Sequence, residues 1–279
     1  MPAARPPLTE QVPATAYLTA LARARATAEP DGALRDPYAD RFARHCPDSV
    51  VRVTRHTAGT SVVVARTLTV DRLLSELLPA EPWDVCVNLG AGFDARTHRL
   101  GWPGTCRVIE IDCAPVLDLK DRLLPAATSP VPVERLRCDL RDPTALAGML
   151  RPRTAGRRTL LVAEGLLTYL TAAQVRALAA EAGEAADAGG AWICDVLSPA
   201  SARALTTAAR AAGTALTLHG LPDLGPFEAA GWSCERLEPL PTARPPGRPA
   251  GAGRQLPDGV LQLRRVAPSA VSRCGRGER

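Results

Sequence analysis

From Val85 onward the sequence alternates short apolar runs with helical segments, and this rhythm constrains the fold more than any other feature. Val85–Leu89, Arg107–Ile111, Val131–Arg137, Thr159–Ala163 and Ala191–Val196 read as strands. Asp94–Leu100, Pro115–Leu124, Pro143–Leu150, Thr171–Ala188 and Pro199–Ala212 read as the helices that follow them. Five strands each followed by a helix predict an α/β fold with a parallel sheet, since a right-handed helical crossover returns the chain to the start of a neighbouring parallel strand. The end breaks the rhythm. Phe227–Ala230 leads into a strand at Trp232–Leu237, a Pro/Gly/Arg-rich loop covers 241–256, and Val260–Val266 forms a last strand. That pair predicts an antiparallel hairpin completing the sheet.

The region ahead of Val85 reads as helical. Residues 1–12 are Pro-rich and expected to be loose, and 13–28 form a helix ended by the turn cluster Glu29-Pro30-Asp31-Gly32. Asp36-Pro37 starts a short helix, with Asp36 as N-cap and Pro37 in the first helical position. Residues 58–78 fit two templates. Ser61-Val62-Val63-Val64 looks like a strand, but Val63, Val70, Leu74 and Leu77 fall on one helix face, so a helix is expected. The expected organisation is an N-terminal helical cap over 1–82, a Rossmann-like domain over 83–266 and a disordered tail over 267–279.

Composition excludes several function classes. The net charge of +5 is not spread over the chain: residues 241–279 hold eight arginines against Asp258 and Glu278, a net +6, so residues 1–240 sum to −1. A near-neutral body with 4% aromatic residues offers neither the basic face nor the stacking platform of a nucleic-acid binder. The eight cysteines form no CxxC pair and no zinc-spaced cluster with histidine, so no metal site is expected. Several sit inside apolar runs, as in Val85-Cys86-Val87, and read as small buried hydrophobes of a reducing compartment. No signal peptide is visible, and the longest apolar stretch, Thr159 to Leu170, is too short for a membrane span and is interrupted by Glu164. A cytoplasmic chain without nucleic-acid or membrane partners is expected; its oligomeric state is not legible.

The chemistry-bearing residues lie at the strand ends. The first strand runs into Asn88-Leu89-Gly90-Ala91-Gly92-Phe93-Asp94-Ala95-Arg96. Gly90 and Gly92 let the backbone turn sharply and approach a ligand, at the edge where open parallel sheets bind theirs. The second strand ends in Glu110-Ile111-Asp112, both acids on one face; one is expected at the ligand, Asp112 by its position, and the other reads as a surface charge. A carboxylate there can accept both hydroxyls of a ribose. The third ends in Cys138-Asp139-Leu140, where an acid suits an adenine amino group, while Asp142 serves as cap for the next helix. The fourth ends in Ala163-Glu164-Gly165-Leu166-Leu167-Thr168-Tyr169-Leu170, where Glu164 interrupts a buried run and needs a partner or a ligand. The glycine loop also fits a dinucleotide fingerprint, which makes an NAD(P)-binding oxidoreductase the competing reading. Asp94 argues against it, because a carboxylate at the helix start repels a pyrophosphate, whereas S-adenosylmethionine brings a sulfonium and an ammonium.

Together with Arg25-Ala26, Asp36-Pro37-Tyr38-Ala39, Ala65-Arg66-Thr67 before Asp71, and Lys120, these motifs resemble the leucine carboxyl methyltransferase family. They are most similar to its bacterial branch, which includes polyketide carboxyl methyltransferases. The resemblance covers about residues 15–240; Phe93 and Ala95 depart from the more usual Leu and Thr. It implies a class I methyltransferase, with a seven-stranded, mostly parallel sheet under an N-terminal helical cap, using S-adenosyl-L-methionine. It further implies Arg66 at the cofactor carboxylate, Gly90, Ala91 and Gly92 lining the pocket, and Asp112 at the ribose. Asp139 and Leu140 would frame the adenine, and Glu164 would complete the methionine end.

The acceptor is less legible. A carboxylate on a small natural product is expected first and a phenol or alcohol second; a catalytically silent ligand-binding module is a third reading. Tyr169 and His219 are the candidates for a catalytic role, and Arg25 for holding an anionic substrate. His98 reads as a surface histidine on the helix after the glycine loop. Because Gly, Arg and Ser dominate residues 267–279, a chain ending at Pro268 is expected to keep its melting temperature and its affinity for the cofactor. Thermal denaturation and calorimetry check this, and a large loss of either would mean that the tail docks on the body.

Overall fold

The computed structural model describes residues 12–48, 50–51, 59–186, 189–211, 213–241 and 256–266. Residues 1–11, 242–255 and 267–279, on which the expected loose start, most of the expected loop and the expected tail fall, lie outside them. The strands are β1 (Val85–Leu89), β2 (Arg107–Asp112), β3 (Val133–Arg137), β4 (Thr159–Ala163), β5 (Ala191–Val196), β6 (Trp232–Pro239) and β7 (Gly259–Arg265). They form one seven-stranded sheet in the order β3-β2-β1-β4-β5-β7-β6. The first five pair in parallel, and β7 runs antiparallel both to β5, with Asp195 opposite Val260, and to β6. The expected hairpin is therefore present, but its second strand sits inside the sheet and its first strand forms the edge.

Nine α-helices are found among the described residues: α1 (Ala14–Ala28), α2 (Ala39–Ala43), α3 (Gly59–Ala80), α4 (Arg96–Arg99), α5 (Ala114–Leu123), α6 (Leu146–Thr154), α7 (Ala172–Ala185), α8 (Pro199–Ala211) and α9 (Gly225–Glu228). Three starts show how side chains set the limits. Asp36 accepts from the N–H groups of Tyr38 and Ala39, so it caps a turn and α2 begins two residues later than expected. Thr171 and Gln174 form a reciprocal capping box on α7, which ends at Ala185 rather than Ala188. Asp142 caps a 3-10 turn at Pro143–Ala145 that precedes α6.

Strand alternation splits the core into two layers. On one face Val85, Val87, Leu89, Ile109, Ile111, Leu161 and Trp192 pack against Val175, Leu178 and Ala182 of α7, with Phe227 and Trp232 closing the far end. On the other, Cys86, Val108, Leu160, Val162, Ile193 and Val260 meet Val70, Leu73, Leu74 and Leu77 of α3. The helix expected over 58–78 thus packs along this face of the sheet, and Val70, Leu74 and Leu77 are its buried stripe. A third cluster joins α1 and α2 to the glycine loop: Phe93 stacks on Phe42 at 4.5 Å and 9° and tilts against Tyr17 at 5.3 Å. The departure at Phe93 therefore has a packing partner on each of the first two helices.

Since Leu74 is fully buried between α3 and the sheet, Leu74→Ala should lower stability by about 2–5 kcal/mol, the usual cost of a truncated core leucine. Urea denaturation measures it; a cost under about 1 kcal/mol would mean that α3 packs only loosely there.

Candidate functional site

The loop after β1 turns across the end of β2. The N–H groups of Gly90 and Ala91 both donate to the Ile111 carbonyl at 2.9 Å. Gly90 and Gly92 have φ of 68° and 44°, in the left-handed region that side chains disfavour. A Cβ on Gly90 would also stand 3.1 Å from Leu166, so the loop lies close under the segment that follows β4. Asp112 faces this loop. Its carboxylate accepts from the Gly92 N–H and the Cys113 N–H, each at 2.7 Å. A carboxylate has about four acceptor positions, so two remain for hydroxyls. Glu110 corrects an expectation. It is fully buried rather than a surface charge, and it is compensated by Lys120 Nζ at 2.9 Å and Arg135 Nε at 2.8 Å. Lys120 also donates to the Ala91 carbonyl at 3.4 Å, tying α5 to the loop.

A buried arginine organises the other side. The Arg96 side chain is 4% exposed and meets Asp71 of α3 at 2.6 Å, Asp94 at 2.8 Å and Glu164 at 2.6 Å. Burial works against its charge, but Asp94, Glu164 and Asp71 hold its pKa well above the ordinary value. Arg99 doubles the link to Asp71 with bonds of 2.6 and 2.8 Å. Asp94 accepts from the Arg96 backbone N–H at 2.7 Å and from Asn88 at 3.0 Å. Its carboxylate is thus turned inward and neutralised, and does not stand at the ligand as the argument against a pyrophosphate assumed. The expected helix Asp94–Leu100 shrinks to α4, the four residues Arg96–Arg99, with Ala95 at its N-cap and the Asp94 carboxylate bonded to the Arg96 N–H. A helix of one turn presents a weaker dipole to a pyrophosphate than a full helix does.

Glu164 is joined to α3 by Arg66 Nε at 3.1 Å and the Thr67 hydroxyl at 2.9 Å. Burial pushes its pKa up, but Arg96 and Arg66 overcome this and hold it down at about 2. Arg66 also reaches Asp195, at the end of β5, at 3.3 Å. Tyr169 lies in a 3-10 turn, Leu167–Tyr169, and burial raises its phenol although Arg66 opposes the rise. The His219 backbone N–H donates to the Thr168 carbonyl at 2.7 Å, which brings the loop before α9 beside Tyr169.

The expected residues thus fall into two groups. Gly90, Ala91, Gly92 and Asp112 form a continuous rim, with Asp139 next to it because Cys138 N–H donates to the Asp112 carbonyl at 3.0 Å. Asp139 itself is half-exposed and folded back on Arg141 at 2.5 Å, while Leu140 is buried. Arg66 and Glu164 form the second group, with Tyr169 beside them. Arg25 is exposed; Arg23 is the buried arginine of α1, bonded to Asp36 at 3.0 Å and to the Phe93 carbonyl at 2.8 Å. His98 is half-buried, with its ring nitrogens near the hydroxyls of Thr97 and Thr128. Asp71, Arg96 and Asp195 were not singled out as site residues. Asp195 carried the same signal as Glu164, an acid inside an apolar run. Among the described residues no three His, Cys, Asp or Glu side chains are placed to hold a metal ion, and no helix is long and apolar enough to cross a membrane.

The sequence model of leucine carboxyl methyltransferases matches residues 16–182, which hold the glycine loop, Asp112, Arg66 and Glu164. The chain belongs to the leucine carboxyl methyltransferase family. A Mycobacterium sp. (strain KMS) relative named "Putative S-adenosyl-L-methionine-dependent methyltransferase" is 36% identical over 177 residues, covering 58% of this chain and 59% of its own. A Streptomyces coelicolor protein named likewise is 33% identical over 189 residues, covering 63% and 66%. This member of the family therefore spans about three fifths of the curated relatives it matches. Its fold is shared by two solved structures among others. Magnesium protoporphyrin IX methyltransferase from Synechocystis PCC 6803, with bound SAH, has a TM-score of 0.53 at 12% identity over 78% of this chain and 93% of that one. A DUF574 family protein from Streptomyces avermitilis has 0.57 at 14% over 89% and 97%.

Removing the Arg96 guanidinium would leave Asp94, Asp71 and Glu164 crowded and partly uncompensated. Arg96→Met should cost about 3–5 kcal/mol, as for other broken buried ion pairs. The pH dependence has a definite sign. The folded pKa of Glu164 lies near 2, below its ordinary 4.5, so its contribution is complete above pH 4.5 and is lost as pH falls toward 2. Without Arg96 that pKa rises, so acid unfolding followed by circular dichroism should begin at higher pH in the variant. An unchanged midpoint would refute the coupling.

Proposed function

We propose that this protein is an S-adenosylmethionine-dependent O-methyltransferase that forms a methyl ester on a carboxylate of a small natural product. The observation that carries the reading is the rim itself: a glycine loop in the left-handed backbone region, bonded through the Gly92 N–H to the acid that ends β2. The residues present fit the cofactor's chemistry. Gly90, Ala91 and Gly92 would line its path, Asp112 retains acceptor capacity for ribose hydroxyls, and Asp139 and Leu140 would frame the adenine. Arg66 offers a guanidinium and Glu164 a carboxylate to the two charges of an amino acid. When bound, the cofactor supplies an electrophilic methyl group on a sulfonium. The remaining tasks belong to the chain: to hold the acceptor oxygen in line and to exclude water.

The preference for a carboxylate acceptor follows from protonation states. A carboxylate is ionised at neutral pH and needs no general base. The neighbouring groups suit that economy: Glu164 is locked in ion pairs, and Tyr169, with its raised pKa, stays protonated and serves as a hydrogen-bond donor. A second reading, methylation of a phenol or alcohol, is favoured by the bond that brings His219 beside Tyr169, because such an acceptor must lose a proton. The first two helices, with Arg23 bonded to the loop carbonyl of Phe93, would cover the site from above.

The chemistry of the product separates the readings. With a methyl-labelled cofactor and candidate carboxylic acids, the product should release volatile methanol in mild base, as an ester does. A base-stable product, formed at a rate that rises through the ionisation range of a histidine, would instead establish ether formation with His219 as base.

A further inference from the structure

Asp195 lies 30 residues beyond Gly165, on a different strand, yet its carboxylate touches both the loop after β4 and the arginine of α3. It is 4% exposed. Its Oδ1 accepts from the Gly165 N–H at 2.5 Å and its Oδ2 from Arg66 Nη1 at 3.3 Å. Gly165 has φ of 70°, and a Cβ there would stand 2.9 Å from Arg66 Nη2, so the guanidinium lies flat against a backbone that only glycine leaves open. Arg66 Nε is held by Glu164 at 3.1 Å. The guanidinium is thus fixed at both ends by acids from two neighbouring strands, and its side chain is 13% exposed.

An acid buried at a strand end needs a reason. A hydrophobic residue would complete the β5 run Ala191-Trp192-Ile193-Cys194 at lower desolvation cost. Burial indeed pushes the Asp195 carboxyl up, and Arg66 and the Gly165 N–H only partly offset this. Without Asp195, Arg66 would keep its Glu164 bond but lose the one at Nη1, and the Gly165 N–H would lose this acceptor. We propose that Asp195 is the positioning residue of the methionine end: it orients Arg66 and Gly165 so that the guanidinium receives the carboxylate of the cofactor's amino-acid moiety. The inference rests on the function proposed above. Asp195 does not touch the ligand; it acts through Arg66.

The test compares two ligands that differ only at that end. S-Adenosylhomocysteine carries the amino acid, whereas 5′-methylthioadenosine has the nucleoside and thioether without it. Asp195→Asn keeps an acceptor for the Gly165 N–H but removes the charge that holds Arg66; Asp195→Ser, with a hydroxyl acceptor, is the second variant. Calorimetry on the full chain should show S-adenosylhomocysteine binding weakened about tenfold or more in either variant, the scale of one lost charge-assisted hydrogen bond, with 5′-methylthioadenosine binding unchanged. In an Arg66→Met background, Asp195→Asn should have no further effect, because the two act as a unit. Equal weakening of both ligands would make Asp195 a general structural residue and overturn the proposal, as would failure of both variants to fold. Wild-type protein that binds neither ligand would overturn the function itself, whereas wild-type binding with an unchanged ligand ratio in the variants overturns only the role of Asp195.

Discussion

The buried guanidinium of Arg96 is the contact on which the rest of the site depends. It begins α4, just after the glycine loop, yet it holds an acid of α3, the acid that closes that loop and the acid that follows β4. Placing it there is expensive in desolvation, and the arrangement persists because all three carboxylates close on it with short bonds. Glu164 then has one oxygen committed to Arg96 and the other to Arg66 and Thr67, which leaves it no freedom to rotate. The same pairs staple the Arg66–Asp71 stretch of α3 to the strand ends, next to the apolar stripe that fastens its second half.

The glycine loop is held with equal care from outside the sheet. Arg23 of α1 bonds the Phe93 carbonyl, Lys120 of α5 approaches the Ala91 carbonyl, and the Ile111 carbonyl accepts two loop N–H groups. Stacked rings of Phe42 and Phe93 fill the gap between the loop and the first helices. A loop restrained on every side loses little entropy when a ligand lies on it, so its geometry is available before binding.

The strands were legible because burial leaves an unambiguous mark. The limits of β1, β4 and β5 agree with their apolar runs, since both faces of these central strands are covered. The acids were legible for the complementary reason: Asp112 and Glu164 end or interrupt such runs. Their partners were not. Arg66 and Asp195 are 129 residues apart, and no local pattern tells which of many arginines turns inward. Arg23 and Arg25 share one helix, and only the third dimension selects Arg23. The shortened α4 has the same origin, because the Asp94 side chain bonds the Arg96 N–H in a local turn ahead of the helix. Asp139 shows a different limit, since an exposed acid can pair with its neighbour Arg141 as readily as it can await a ligand.

The insertion of β7 between β5 and β6 bears on how the chain reaches its native state. Among the described residues β6 has β7 as its one sheet neighbour, and the outer edge of β5 is covered by β7 as well. Asp258, just ahead of β7, also accepts from the Ser198 N–H at 2.7 Å and the Ser201 hydroxyl at 2.6 Å at the start of α8. During synthesis on the ribosome, therefore, β5 presents an open hydrogen-bonding edge and β6 has no partner until residue 265 has emerged. Pairing in this half of the sheet waits on β7, and until β7 arrives the open edge of β5 is available to a neighbouring chain.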